Sequence, residues 1–71
     1  MFGKIKFFNQ KRGYGFIVGE DNRDYFFHVT SLDSNLRSEK ETFIGSNDEV
    51  SFCLGPGNGG REQAIKIVKI P

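Results

Sequence analysis

His28 is the only histidine and Cys53 the only cysteine in the 71-residue chain. An imidazole can act as a general base, but "DYFFH" offers no nucleophile, metal ligand or orienting group at a recognisable spacing. A single thiol cannot form an intrachain disulfide, and one Cys with one His falls short of the four ligands that structural zinc requires. Catalysis, a cofactor and a metal are therefore not expected. The residues that remain chemically notable are rings. The stretch "KRGYGFIVGEDNRDYFFHV", residues 11–29, holds five Phe and Tyr rings in nineteen positions, with charged residues and His28 among them. A core accounts for some of those rings, not easily for all of them.

The elements that must position them read as strands. Period-two alternation dominates and no window keeps a helical period. The pattern predicts strands over Phe2–Phe8, Tyr14–Val18, Asp24–Val29, Glu49–Leu54 and Gln63–Ile70. Short turns rich in Gly, Asn and Asp separate them, and residues 30–48 form one long polar connection with Leu32, Leu36, Phe43 and Ile44 as its apolar members. Short strands at regular spacing point to an all-β fold, a small five-stranded antiparallel barrel that removes exposed edges by closing. The whole chain, residues 1–71, reads as one domain without repeats.

Alternation sorts the second and third strands into two sets of side chains. Tyr14, Phe16, Phe26 and His28 form one set, with Asp24 at the strand start; Gly15, Ile17, Tyr25, Phe27 and Val29 form the other. A small barrel has one interior. Ile17, Phe27 and Val29 belong with a core of Ile5, Val50, Phe52, Ile65 and Ile67, so the set with polar tips faces water. Exposed clusters of rings usually mark a contact surface. Flanked by Lys4, Lys6, Lys11 and Arg12, these rings suit unpaired nucleic-acid bases, which stack on aromatic faces while cations take the phosphates. Cys53 falls on the outer side of its strand.

Net charge is +1, but unevenly spread. Residues 1–30 carry five basic against three acidic side chains, residues 31–50 two against five, and residues 51–71 three against one. An acidic middle thus masks mildly basic ends. No signal-peptide pattern opens the sequence and no run approaches a membrane span, which leads to an expectation of a cytoplasmic protein without a membrane partner. "GPGNGG" satisfies GxGxxG at Gly55, Gly57 and Gly60, but a dinucleotide site needs a helix and a distant acid after it, and a strand follows here. It reads as a hairpin loop, with Arg61 at its exit placed to help hold phosphate. "RGYGFI" also occurs in RNA-recognition motifs, where a helix and the other aromatic motif precede it; here it starts at residue 12 with no helix in sight.

"GKIKFFNQKRGYGFI" followed by "DYFFH" closely resembles the bacterial cold-shock proteins and the cold-shock domain, with their GxVKWFN, KGFGFI and DVFVH motifs. "DEVSFCL" and "QAIKIVKI" fall where that family has its last two strands, so the resemblance covers almost the whole chain. It implies a barrel of the oligonucleotide/oligosaccharide-binding (OB) type, single-stranded RNA or DNA as partner, and work as an RNA chaperone or cold-inducible regulator of transcription and translation. Carried over by motif, the binding face comprises Lys6, Phe7, Asn9, Arg12, Tyr14, Phe16, Phe26 and His28. Lys4, Lys11 and Arg61 are further phosphate partners, and Phe43 is the candidate for the family's loop aromatic. Alternation alone leaves open which of Phe7 and Phe8 faces out; the resemblance selects Phe7, and the adjacent pair suggests a strand irregularity. Phe7 replaces the family's usual Trp, and Val29 its usual Phe after the histidine, so weaker binding than in a typical member is expected. The expected state is a monomer, with a dimer as the alternative. The competing function is a barrel whose aromatic face binds a protein or a second copy, since interfaces are also rich in rings.

Overall fold

A computed structural model describes residues 1–36, 44–57, 59 and 61–70. Five strands follow one another: β1 Phe2–Asn9, β2 Tyr14–Gly19, β3 Asp24–His28, β4 Glu49–Pro56 and β5 Glu62–Lys69. All pairings are antiparallel, and the sheet order is β3-β2-β1-β4-β5. The fold is the expected five-stranded antiparallel barrel of the OB type, and no α-helix occurs among the described residues. Two short 3₁₀ turns, Val29–Ser31 and Ser34–Leu36, begin the long connection. Val29 thus sits in a turn rather than at the end of β3.

The core is built from the inward-facing residues of every strand. Ile5, Ile17, Phe27, Val50 and Ile67 are fully enclosed, with Tyr25, Leu32, Leu36, Phe52 and Ala64 around them. Each large apolar side chain so buried contributes about 1.5–3 kcal/mol. Phe8 lies flat against Phe27, with centroids 5.7 Å apart and planes at 10°. Gly15 makes room for that pair: a Cβ there would press on the Phe27 ring at 2.9 Å and on the Phe7 carbonyl.

Two irregularities interrupt the alternation. The β1–β2 register shifts between Ile5 and Phe7, so Lys6 is the extra residue of a bulge, and Phe7 and Phe8 end up on opposite faces. The β4–β5 register shifts between Ser51 and Cys53, where β5 has one residue more than β4. Lys66 takes up the difference in a left-handed conformation, φ 52°. Because of that bulge the core positions of β5 are Ala64 and Ile67, and the expectation that Ile65 belongs to the core fails. Ile65 instead lies over Gly55, beside Cys53, on the outer side.

Closure is partial. β3 and β5 are the edges of the sheet, and the bridge near their junction is a parallel one, Leu32 to Ile67, with the Asp33 N–H donating to the Ile67 carbonyl at 2.8 Å. A seam therefore runs between β3 and the start of β5.

Candidate nucleic-acid interface

The register places outward-facing residues in rows across three strands. Phe7, Phe16 and Phe26 form one row from β1 through β2 to β3. Asn9, Tyr14 and His28 form the row beside it, and Lys4, Val18 and Asp24 the row on its other side. Four rings close into a cycle. Phe7 meets Tyr14 edge-on at 6.2 Å and Phe16 at 5.6 Å; Phe26 stacks on Tyr14 at 5.8 Å and meets Phe16 edge-on at 5.8 Å. Such contacts hold each ring at a defined tilt. Phe7 remains 39% and Phe26 38% exposed, while Tyr14 and Phe16 are half-buried between them. The outward set named from alternation is thus assembled on one surface.

The polar residues around the rings are differently placed. Asn9 does its work inside the β1–β2 turn. Its Oδ1 accepts from the Arg12 N–H at 3.0 Å and its carbonyl accepts from the Gly13 N–H at 2.8 Å, while Gly13 supplies the left-handed φ of 72°. That turn carries Lys11 and Arg12 into solvent beside the Tyr14 end of the face. His28 is exposed, and its Nδ1 accepts from the Thr30 N–H at 3.3 Å and lies 2.9 Å from the Thr30 hydroxyl, capping the first 3₁₀ turn. With Nδ1 accepting, the neutral ring carries its proton on Nε2, an outward donor.

Lys6 is paired. Its Nζ lies 2.9 Å from Oδ2 of Asp24, reaching from the bulge in β1 to β3 across the Val18 side of the rings. The expected phosphate cation is therefore already engaged with a carboxylate. Arg61 has a similar environment. It lines a cavity of about 300 Å³ in the seam, together with Phe16, Asp24, Phe26, Gly57, Glu62 and Gln63. Asp24 and Glu62 share that lining, and Asp24 is itself paired with Lys6, so the seam end of the face carries charges of both signs. Glu62, Gln63 and Gly57 carried no signal in the sequence, because only the closing of β5 toward β3 brings them to the rings. Phe43 lies outside the described residues.

Asp21 and Tyr25 fasten the β2–β3 turn just below the face. The buried Tyr25 ring ends in a hydroxyl that donates to Oδ2 of Asp21, and Asp21 also accepts from the Arg23 N–H. The Tyr25 hydrogen bond holds the Asp21 carboxyl below the usual aspartate value, and the Asp21 carboxylate holds the Tyr25 hydroxyl above the usual phenol value. Among the described residues, no group of three or more His, Cys, Asp or Glu side chains is placed to hold a metal ion, and no helix is long and apolar enough to cross a membrane.

The model of the 'cold-shock' DNA-binding domain matches residues 1–70. Cold shock protein CspB of Bacillus caldolyticus is 40% identical over 68 residues, covering 96% of both chains. Cold shock protein CspD of Bacillus subtilis is 38% identical over 68 residues, again covering 96% of both. Y-box-binding protein 1 of Xenopus laevis is 34% identical over 65 residues, which are 90% of this chain and 22% of that protein.

Proposed function

The chain belongs to the cold-shock DNA-binding domain family, and on that premise we propose that it binds single-stranded RNA or DNA by stacking unpaired bases on Phe7, Tyr14, Phe16 and Phe26. The observation that carries the proposal is the four-ring cycle on the outside of the barrel, where a core would gain nothing from it. Each stacked base contributes about 1–3 kcal/mol, which two accessible rings and two half-buried ones can supply without strong charge. His28 offers Nε2–H to a base edge or a phosphate. Lys4, Lys11 and Arg12 meet the backbone at the rim, and Lys6 joins them only by leaving Asp24. Trapping bases in this way lowers the free energy of the open strand relative to weak hairpins, which is how such a protein acts as an RNA chaperone without bond chemistry or a nucleotide.

The test is a titration, followed by Tyr emission, of a short single strand and of the same sequence as duplex. Stacking needs free base faces, and a net charge of +1 gives little non-specific duplex affinity. The single strand is expected to bind at least tenfold more tightly. Equal affinity for the duplex would remove the stacking model. No binding, together with a concentration-dependent shift in gel filtration, would favour the aromatic face as a self-association surface.

A further inference from the structure

The seam cavity beside the rings is unusual for a surface that meets a polyanion. Two of its seven lining residues, Asp24 and Glu62, are carboxylates, against one cation, Arg61. A phosphate placed there finds no net positive charge, since Lys6 is already paired with Asp24 and Glu62 stands against Arg61. A base needs none, because Phe16 and Phe26 offer it ring surface within the same cavity. At about 300 Å³ the space lies at the small end of ligand sites, suited to one base.

The polar groups around it are mostly acceptors. Lys6 occupies Oδ2 of Asp24 and leaves Oδ1 as an acceptor. Gln63 donates its Nε2 to the Pro56 carbonyl at 3.1 Å, which leaves Oε1. Glu62 adds a carboxylate at the start of β5. Donors are fewer: the Arg61 guanidinium, and the backbone of Phe26. Hydrogen bonds from Gly19 to Arg23 and from Val29 to Gly13 bracket the β2–β3 ladder, so odd-numbered residues of β3 face β2. The N–H and C=O of Phe26 consequently point away from β2, toward the seam.

Such a lining selects among bases. Uracil and thymine present one N–H between two carbonyl oxygens, and those oxygens would face carboxylates. Cytosine and adenine present one amino group beside a bare ring nitrogen. Guanine alone presents adjacent donors, N1–H and the N2 amine, with the O6 acceptor next to them. We infer that the seam cavity is a guanine-selective subsite, in which the base stacks on Phe26, the more exposed of two rings whose planes cross at 74°, gives its N1–H and N2 amine to Glu62 and Asp24, and takes a donor at O6 from Arg61. The inference rests on the stacking reading of the face and adds base selection to it.

The experiment is a titration series with heptathymidine and with heptamers in which one guanine is moved through each position. At one register the guanine strand is expected to bind about tenfold more tightly, the scale of one good two-point base contact. Inosine at that register lacks the N2 amine and should fall between thymine and guanine. Glu62→Ala, at an exposed position, should reduce the guanine gain to less than about twofold while leaving affinity for heptathymidine nearly unchanged. Heptathymidine binding with no gain at any register, or a gain that survives Glu62→Ala, overturns the subsite and leaves stacking intact. Failure of every strand to bind overturns both.

Discussion

Phe26 and Phe27 are adjacent, chemically identical and turned to opposite sides of β3, one 38% and the other 0% exposed. Their truncations should therefore separate. Phe26→Ala, like Phe16→Ala, should cost about 1–3 kcal/mol of single-strand binding and little stability, since it opens no cavity. Phe27→Ala removes a ring enclosed by Phe8 and the core, a loss of about 3–5 kcal/mol. That approaches the whole stability of a domain this small, so this variant should be largely unfolded at room temperature. Thermal melts and titrations on the three variants check the split, and a Phe26→Ala protein melting as low as Phe27→Ala would contradict it. The Tyr25–Asp21 bond has its own signature. A carboxyl lowered by folding stabilises the native state above its ordinary value, about 4, and that contribution is lost as pH falls further; a phenol raised by folding contributes below about pH 10 and is lost above. Tyr25→Phe keeps the buried ring and removes the bond. Its melting temperature should lie below that of the native protein at neutral pH, and the gap should narrow as pH falls below the ordinary aspartate range and again as it rises above the ordinary phenol range.

β1 and β5 each contain one residue more than their partners need, and these two bulges decide what either strand presents. The bulge at Lys6 turns Phe7 out and Phe8 in, and also lets Lys6 reach Asp24. That ion pair is half exposed and adds little stability, but it engages a cation beside the aromatic face. With Lys4, Lys11 and Arg12 at the rim, binding should neutralise roughly two to three phosphates, for a logarithmic salt slope near −2. Asp24→Asn frees Lys6 and should steepen the slope by about 0.7; an unchanged slope would mean that Lys6 never reaches the strand. The bulges also mark where the sequence stopped being legible. Strict alternation placed Ile17, Phe27, Val50 and Phe52 inside and Tyr14, Phe16, Phe26 and His28 outside, as the structure has them. In β1 the doubled Phe gave a local hint of irregularity. In β5 nothing does, because the left-handed residue is Lys66, not the Gly or Asn that usually announces one, and so alternation puts Ile65 in a core that contains Ala64 instead. The seam cavity was invisible for a different reason: its residues come from β2, β3 and β5, and meet only in three dimensions.

Across the whole molecule the aromatic face occupies one side, while Phe2 and Val68, 58% and 46% exposed, lie in one row with Ser51 on the outer surface of β1, β4 and β5. No disulfide braces the barrel, since its one cysteine is free and exposed. Its integrity rests on packing, and its partly open edges must be kept from pairing with those of other molecules. The kink at Lys66 bears on this in a way that concerns colloidal behaviour. Ala64-Ile65-Lys66-Ile67-Val68 is an apolar edge segment interrupted by one charge, the kind of window that stacks into cross-β fibrils when flat and neutral. Lys66 supplies the charge, and its left-handed backbone bends the row of amides so that no straight template is offered. Lys66→Val would remove both protections, because a β-branched residue resists that conformation and favours a straight strand. Lys66→Asn keeps the bend, which Asn tolerates better than Lys. At high protein concentration the valine substitution should raise light scattering and thioflavin fluorescence over days, and the asparagine substitution should stay clear and melt slightly higher. A residue that costs this barrel stability would then be what lets it accumulate in a crowded solution without seeding fibres of its own.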